Sequence, residues 1–235
     1  MDKKVILITG GATRLAKELA KSLVSDNYLV IVHYNQSEND ANLLKEELGR
    51  SCEIIQYNFL DNESKVFFEK VLSKFGRLDI IINAASIFSK QSLGEIDEKM
   101  IENYNIIHSN VPLLLTIYLY EHLVIRNERG SVINFTDAGL NRPSLNRIPY
   151  FLSKSSLSFQ TKLLAKELAP YVRVNELAPG LIMPNNKDKD YFAKMEDKIK
   201  LGLGSYDDII FSVNYLLNAK YITGEKIKVD GGLYF

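Results

Sequence analysis

Short apolar stretches alternate with amphipathic stretches along most of the chain. The apolar stretches cover residues 5–9, 29–34, 53–57, 80–82, 131–135 and 172–175, lengths typical of strands buried on both faces. Between them, apolar residues recur every three or four positions over residues 15–23, 38–48, 61–75, 101–126 and 150–168, which predicts helices. Strands alternating with helices predict a doubly wound α/β fold, with a parallel sheet covered on both faces.

One segment interrupts this alternation. Residues 179–204 are rich in Asn, Asp, Lys and Gly and carry a short helical pattern around residues 191–199. Because ligands bind at the carboxyl ends of the strands in such a fold, the segment is a candidate flap over a binding site. A solvated surface insertion explains the same composition equally well.

The length and composition of the chain limit the classes of protein to which it can belong. A chain of 235 residues with 46% hydrophobic residues fits one large domain, here residues 1–235. Lys+Arg 29 and Asp+Glu 29 balance, and no long basic run occurs, so we expect no nucleic-acid partner. No apolar run approaches the ~20 residues of a bilayer span, and the N-terminus is too short for a signal-peptide core. We therefore expect a soluble protein.

The single cysteine limits which cellular compartment and which kinds of metal site fit the chain. Cys52 alone excludes an intramolecular disulfide and a multi-cysteine metal site, and it suits a reducing cytoplasm. We predict a cytoplasmic location and no metal.

A tyrosine and a lysine stand four positions apart at the start of the last predicted helix. Tyr150 and Lys154 therefore share one helix face, where an ammonium can stabilise a phenolate and lower its pKa. Such a pair can do acid–base work. About one such spacing is expected by chance in a chain with 13 tyrosines, so the surrounding motifs decide its weight.

A glycine turn follows the first predicted strand. Gly10 and Gly11 let backbone N–H groups approach a pyrophosphate at the start of the next helix. The glycine pattern is incomplete, since Arg14 and Ala16 stand where a dinucleotide fingerprint often has glycine. An ordinary tight turn is the alternative.

The end of the second strand bears on the choice of cofactor. It carries no acid before Glu38, whereas an NAD enzyme commonly has one there for the ribose diol. A 2′-phosphate could instead accept from Asn35 and Ser37 and pair with Arg14. His33 is a further candidate contact, for which a polar residue at the strand end is the more common interpretation. We predict NADP(H).

Taken together, the spaced motifs resemble the short-chain dehydrogenase/reductase family along nearly the whole chain. They are the glycine turn, the Asn83–Ser86 segment, Asn110, the Tyr150/Lys154 pair, Pro179–Gly180 and Asp230–Gly232. Within that family the chain looks most like pteridine reductases and dihydromonapterin or dihydrofolate reductases. The strongest sign is Asp137, thirteen positions before Tyr150, where most of the family has serine.

The resemblance implies a Rossmann-type fold and a role for each matching residue. Tyr150 would be the acid, Lys154 would lower its pKa and hold the nicotinamide ribose, and Asn110 would shape a proton path. Asp137 would contact Tyr150 and the pterin, a role for which a helix cap or turn is the alternative. The implied substrate contacts are Arg14, Ser86, Phe88, Asp137 and Tyr150, with Phe88 stacking the pterin against the nicotinamide.

The resemblance also implies a cofactor site. Its residues are Gly10, Thr13, Arg14, Leu15, His33, Tyr34, Asn35, Ser37, Asn58, Phe59, Asn83, Ala84, Ala85, Ser86, Lys154, Pro179 and Gly180. Three positions of the chain depart from the family pattern. Ala16 replaces a glycine, Asn58 replaces an aspartate that bonds the adenine amine, and Ala84 replaces an asparagine.

Three functions follow as hypotheses. The first is NADPH-dependent reduction of a pterin or dihydropterin, such as dihydromonapterin, dihydrobiopterin or dihydrofolate. The second is a general carbonyl reductase, for instance of a 3-oxoacyl thioester, and the third is a non-catalytic NADP(H)-binding regulator. Apolar surface on the predicted helices 101–126 and 150–168 further suggests a homotetramer, a dimer of dimers, as the family resemblance implies.

Overall fold

A single parallel sheet organises the protein. The computed structural model describes residues 3–24, 28–182, 193, 195 and 197–234. Within them, seven strands pair in the order β3-β2-β1-β4-β5-β6-β7. The strands are β1 (Lys4–Thr9), β2 (Tyr28–Tyr34), β3 (Cys52–Gln56), β4 (Ile80–Asn83), β5 (Gly130–Phe135), β6 (Val172–Pro179) and β7 (Lys226–Val229). The predicted doubly wound α/β fold is confirmed.

Helices cover both faces of this sheet. They are α1 (Arg14–Leu23), α2 (Glu38–Leu48), α3 (Ser64–Phe75), α4 (Glu98–Asn105), α5 (Val111–Arg126), α6 (Ile148–Glu167) and α7 (Tyr206–Asn218). Side chains alternate along β1, so Val5 and Leu7 enter the core with α3, α5 and α6. Ile6 and Ile8 enter the opposite core with α1, α2 and α7. Burial on both faces explains why the strands read as continuous apolar runs.

The strand order reverses beside β1. This strand pairs with β2 on one side and with β4 on the other, so the following helices leave toward opposite faces. A crevice opens at the carboxyl ends of strands where such a reversal occurs, and ligands bind there in open α/β sheets. The glycine turn after β1 and the segment after β4 both end at this crevice.

The prediction of one continuous helix over residues 101–126 is wrong. The segment consists of α4, a π-helical turn at Ile106–Asn110, and α5. Pro112 lies in the first turn of α5 and has no backbone N–H, so it cannot donate to the carbonyl of His108 four residues earlier. A regular α-helix is therefore interrupted at this point.

Other element boundaries also differ from the prediction. The helix predicted from Asp61 begins at Ser64, because Asp61 pairs with Asn58 within a turn. α7 and β7 were not predicted, and β7 adds an edge to the sheet beside β6. Much of the predicted flap, including most of its helical pattern, lies outside the described residues. Among the helices that are described, none has the length and apolarity to cross a membrane.

Candidate active site

Tyr150 and Asp137 form the centre of the site. The Tyr150 hydroxyl in the first turn of α6 donates to Asp137 Oδ2 at 2.9 Å. The other carboxylate oxygen, Oδ1, accepts from the backbone N–H of Gly139 at 2.7 Å. Asp137 stands two residues after the end of β5, so the strand end fixes the carboxylate against the phenol. It therefore acts both as a turn cap and as a partner of the tyrosine.

This environment keeps the phenol protonated. Burial raises the pKa of Tyr150 well above its ordinary value of 10.0, and the Asp137 carboxylate raises that pKa further. In the protein itself desolvation and Asp137 dominate, so the net shift of this pKa is upward; the lowering contribution expected of Lys154 stays a prediction. A protonated phenol suits a proton donor better than a base.

Lys154 lies on the same face of α6 but is engaged elsewhere. Its Nζ donates to the backbone carbonyl of Phe135 at 2.6 Å, and its side chain is buried. Burial lowers the pKa of Lys154 to about 8, while Asp137 and Glu176 oppose that fall. The lysine can therefore lose its charge just above neutral pH.

The glycine turn after β1 fits a dinucleotide pyrophosphate. Gly10 has φ 67°, and a Cβ at this residue would lie 2.8 Å from the Cα of Ala85, so a side chain would push the turn off the segment after β4. Thr13 precedes α1 without capping it through its side chain, which leaves the first N–H groups of the helix for an anion. Arg14 is exposed and has φ 54°, a conformation that explains why glycine is common there.

His33 supports this turn from below. Its Nδ1 accepts from the Gly10 N–H at 3.1 Å, and its Nε2 donates to the Tyr57 carbonyl at 3.0 Å. Burial lowers the pKa of His33 to about 4, so the ring is neutral. Both ring nitrogens are engaged within the protein, so the side chain supports the glycine turn, and its contact with the cofactor stays a prediction.

The rest of the second-strand end is partly open. Asn35 is exposed and Ser37 half-buried, whereas Tyr34 is buried. Asn58 uses its amide within its own turn, where Oδ1 accepts from the Leu60 N–H at 3.2 Å. Phe59 is buried against His33, with ring centroids 4.4 Å apart. Asn35, Gln36 and Ser37 are thus accessible polar groups at this end of β2.

The segment after β4 is tied to the glycine turn. The Thr9 hydroxyl oxygen accepts from the N–H groups of Ala84 and Ala85, both at 3.1 Å. Asn83 is buried, and its side-chain amide donates to Asn134 Oδ1 at 2.8 Å. Nothing in the structure explains the alanine at position 84. Farther along this edge of the sheet, Gly180 lies so close to Asp230 that a Cβ on the glycine would be 2.7 Å from the Cα of Asp230.

His108 is a central residue that the sequence interpretation missed. It lies in the π-helical turn, and its Nε2 accepts from the Ile87 N–H at 3.1 Å and lies 3.0 Å from the Ser86 hydroxyl. The proton therefore sits on Nδ1, which lies 2.9 Å from the Ser153 hydroxyl. Burial, with a smaller effect of Lys154, lowers the pKa of His108 to about 2. This neutral ring connects the Ser86 segment to the helix that carries Tyr150.

Asn110 lies apart from this cluster. It is exposed, and it lines a groove between α4 and α6 with Ile101, Ser109 and Ser156. In the described part of the chain no hydrogen bond joins its side chain to Tyr150 or Lys154. The predicted contribution of Asn110 to a proton path is therefore not visible as a direct contact.

Phe88 forms the outer wall of the site. Its ring packs at 4.8 Å from the ring of Tyr150, with an interplanar angle of 71°, and the side chain is 58% exposed. Ser86, two residues earlier, is exposed as well. A flat ligand can enter between this wall and the phosphate turn.

Two further residues near the site were missed. Glu176 is buried on β6, where its carboxylate accepts from Ser158 at 2.6 Å and pairs with Lys226 at 2.8 Å. An acid inside an apolar strand pattern is a signal that could have identified it. Tyr234 packs on Gly139, where a Cβ would lie 3.1 Å from the ring. The described residues contain no group of three or more His, Cys, Asp or Glu side chains that could hold a metal ion.

Comparisons with known proteins identify relatives along almost the full chain. The short chain dehydrogenase family model matches residues 4–194. A dihydromonapterin reductase from Enterobacter sp. (strain 638) is 34% identical, over 98% of this chain and 96% of that protein. A ketoacyl reductase 2 named for the granaticin polyketide synthase of Streptomyces violaceoruber is 28% identical, over 99% of this chain and 97% of that protein.

A solved structure shares the same fold. FolM alternative dihydrofolate reductase 1 from Brucella canis, complexed with NADP, superimposes with a TM-score of 0.90 at 25% identity. The match covers 98% of this chain and 94% of the other. The similarity therefore extends over almost the whole of both chains.

Proposed function

The chain belongs to the short-chain dehydrogenase/reductase family, and we propose that it is an NADPH-dependent reductase of a pterin or dihydropterin. The observation that carries this proposal is the carboxylate of Asp137 on the hydroxyl of Tyr150. A ketone reductase develops negative charge on the substrate oxygen beside its tyrosine, and a carboxylate there would repel that charge. A 2-amino-4-oxo pterin instead presents N–H groups that a carboxylate accepts.

NADP(H) is the cofactor that the residues favour. Asn35, Ser37 and Arg14 offer donors to a 2′-phosphate, and the end of β2 presents no carboxylate to oppose it. The NADP complex of the Brucella relative supports the same choice. When bound, NADPH supplies the hydride that adds to the carbon of the substrate C=N bond.

The chain's own residues provide orientation and a proton. Tyr150 donates its hydroxyl proton to the substrate nitrogen, and solvent later restores it, so each turnover consumes one NADPH and one proton. Asp137 orients the phenol and accepts from the pterin. Phe88 stacks on the ring system, which fixes the reacting carbon. The products are a reduced C–N bond and NADP⁺.

A general carbonyl reductase is the second candidate. The granaticin relative favours it, because that protein is named as a ketoacyl reductase and is similar over 99% of this chain. The two candidates differ in the charge that develops next to Tyr150. A negatively charged Asp137 disfavours the ketone reaction and leaves protonation of a nitrogen unopposed.

A substrate panel tests the proposal. We expect the purified protein to oxidise NADPH with dihydromonapterin, dihydrobiopterin or dihydrofolate, and to use NADH less well. A 3-oxoacyl thioester serves as the comparison substrate. Turnover of the thioester without turnover of any dihydropterin would replace the first candidate with the second.

We further propose that the protein assembles as a homotetramer. Leu152, Phe159 and Leu163 form an exposed apolar stripe on α6, and Phe211 and Tyr215 form another on α7. Two separate apolar surfaces can each pair with a copy of themselves, which gives a dimer of dimers. Phe159→Glu is expected to halve the mass measured by light scattering at micromolar concentration. A monomeric mass for the unchanged protein would refute the assembly.

The cytoplasm is the proposed compartment. Cys52 is buried, and burial raises the pKa of its thiol to about 11, which keeps it unreactive. A chain with one such thiol needs no oxidising environment.

A further inference from the structure

A second arginine, Arg147, lies at the mouth of the site. It ends the short 3₁₀ turn Leu145–Arg147 and stands three residues before Tyr150. Its guanidinium carbon is 4.1 Å from the centroid of the Phe88 ring, which itself packs on Tyr150. The Asn146 carbonyl accepts from the Gln91 N–H at 2.9 Å, so the two segments that carry Arg147 and Phe88 are joined. The arginine is therefore held beside the substrate wall.

The charge of this arginine is not neutralised within the described part of the chain. There, no carboxylate lies within ion-pair distance of Arg147, and its buried Nε has no hydrogen-bond partner. Asp137 is the acid of the site, but its two oxygens already accept from Gly139 and Tyr150. A guanidinium is charged at every accessible pH, and a buried donor without an acceptor costs free energy. A ligand can supply the missing acceptor.

We propose that Arg147 binds an anionic substituent of the substrate, a carboxylate or a phosphate at the end of the side chain attached to the pterin. This inference rests on the proposed function. The Phe88 ring is 58% exposed and has the Arg147 guanidinium carbon 4.1 Å from its centroid, so a substituent that runs along this ring from a pterin stacked on it would reach the arginine. The planar fork of the guanidinium matches the two oxygens of a carboxylate or phosphate.

Steady-state kinetics with two dihydropterins test this assignment. Dihydrofolate carries carboxylates at the end of its side chain, and dihydrobiopterin carries an uncharged one. For Arg147→Gln we expect the KM for dihydrofolate to rise about tenfold, equivalent to about 1.4 kcal/mol, with less than about a twofold change for dihydrobiopterin. Arg147→Lys should recover part of the dihydrofolate affinity. Arg142→Gln, in the same loop, is the matched control and should leave the ratio of the two KM values unchanged.

The outcomes separate this inference from the proposed function. If the wild-type protein reduces both dihydropterins and Arg147→Gln changes both equally, or neither, Arg147 recognises no anion and this inference fails alone. If the wild-type protein reduces neither of these two nor dihydromonapterin, the proposed function fails and the inference with it. If it reduces dihydromonapterin alone, the proposed function stands and the inference fails, because no substrate with an anionic substituent is accepted. A dihydropterin that ends in a phosphate ester distinguishes the two anions. If Arg147→Gln raises the KM for this phosphate ester more than the KM for dihydrofolate, the site is assigned to phosphate. If it raises the KM for dihydrofolate more, the site is assigned to carboxylate.

Discussion

At the scale of single residues, the site depends on which charges lie beside Tyr150 and Lys154. The sequence alone was enough to predict that Tyr150, Lys154 and Asp137 share one site. That prediction depends only on their residue types and on their spacing along the chain. Their electrostatics could not be predicted from the sequence, since burial and the distant acid Glu176 act through the folded sheet. This is why a lowered pKa was expected for Tyr150 whereas the structure shows a raised one.

Glu176 is expected to control the alkaline limit of activity. Its carboxylate raises the pKa of Lys154, which burial has lowered to about 8, so the ammonium is lost as pH rises through that value. Glu176→Gln removes the opposing charge and should move the alkaline fall of kcat/KM to lower pH. Glu102→Gln, an exposed change on α4, is the control. An unchanged alkaline limb in Glu176→Gln would show that Lys154 does not set it.

The backbone conformation of Arg14 is expected to lower the free energy of unfolding, whereas its side chain is expected to bind the cofactor. Its φ of 54° is strained for any residue with a Cβ, so Arg14→Gly should be more stable than Arg14→Ala by about 1 kcal/mol in urea unfolding. Both variants lack the guanidinium and should lose affinity for NADPH more than for NADH. Equal stability would refute the strain, and an unchanged cofactor preference would refute the contact.

At the scale of elements, the π-helical turn Ile106–Asn110 places His108 between the segment after β4 and α6. Sequence periodicity predicted helix throughout 101–126, because a π-turn keeps the apolar spacing almost unchanged. The break is a matter of hydrogen bonding around Pro112, which periodicity does not report. A lone histidine in a helical pattern therefore gave no sign of its three polar partners.

Replacing this histidine should disturb both elements. His108→Leu leaves the Ile87 N–H and the Ser86 and Ser153 hydroxyls without their partner, so we expect about 2–4 kcal/mol of destabilisation. His108→Asn, which retains a donor and an acceptor, should lose less stability and more kcat than KM, because the Ser86–Phe88 wall shifts. Glu121→Gln, at an exposed position of α5, is the control. A His108→Leu protein as stable as wild type would contradict the bridging role.

At the scale of the whole molecule, the parallel sheet gathers the glycine turn, the segment after β4 and Asp137 at one edge. Six strands could be predicted because each is a continuous apolar run. The seventh, Lys226–Val229, alternates Lys and apolar residues at the sheet edge and lacks that signal. The order of the strands depends on contacts between distant parts of the chain, and so does the burial of His33 and His108.

These two buried histidines should make the fold sensitive to acid. Both pKa values are lowered in the folded protein, to about 4 and about 2, from 6.5. Between those values and 6.5 the unfolded chain binds more protons, so stability is present above 6.5 and falls as pH decreases. From 6.5 to about pH 5 we expect a loss of about 3 kcal/mol in the free energy of unfolding.

Urea titrations at several pH values measure this loss. The slope of stability against pH should be clearly less steep in His108→Asn than in the wild-type protein, whereas Glu102→Gln, an exposed change on α4, should change it little. Identical slopes in wild type and His108→Asn would mean that other groups determine the acid response.

The central claim is that Asp137 makes this site a pterin reductase, and a substitution that converts it to the common family residue tests it most directly. The measurement is kcat/KM of Asp137→Ser with NADPH, for a dihydropterin and for a 3-oxoacyl thioester. We predict that the dihydropterin value falls about a hundredfold, equivalent to about 2.7 kcal/mol, while the thioester value is unchanged or rises. If Asp137→Ser retains the dihydropterin activity of the wild-type protein, the claim is contradicted.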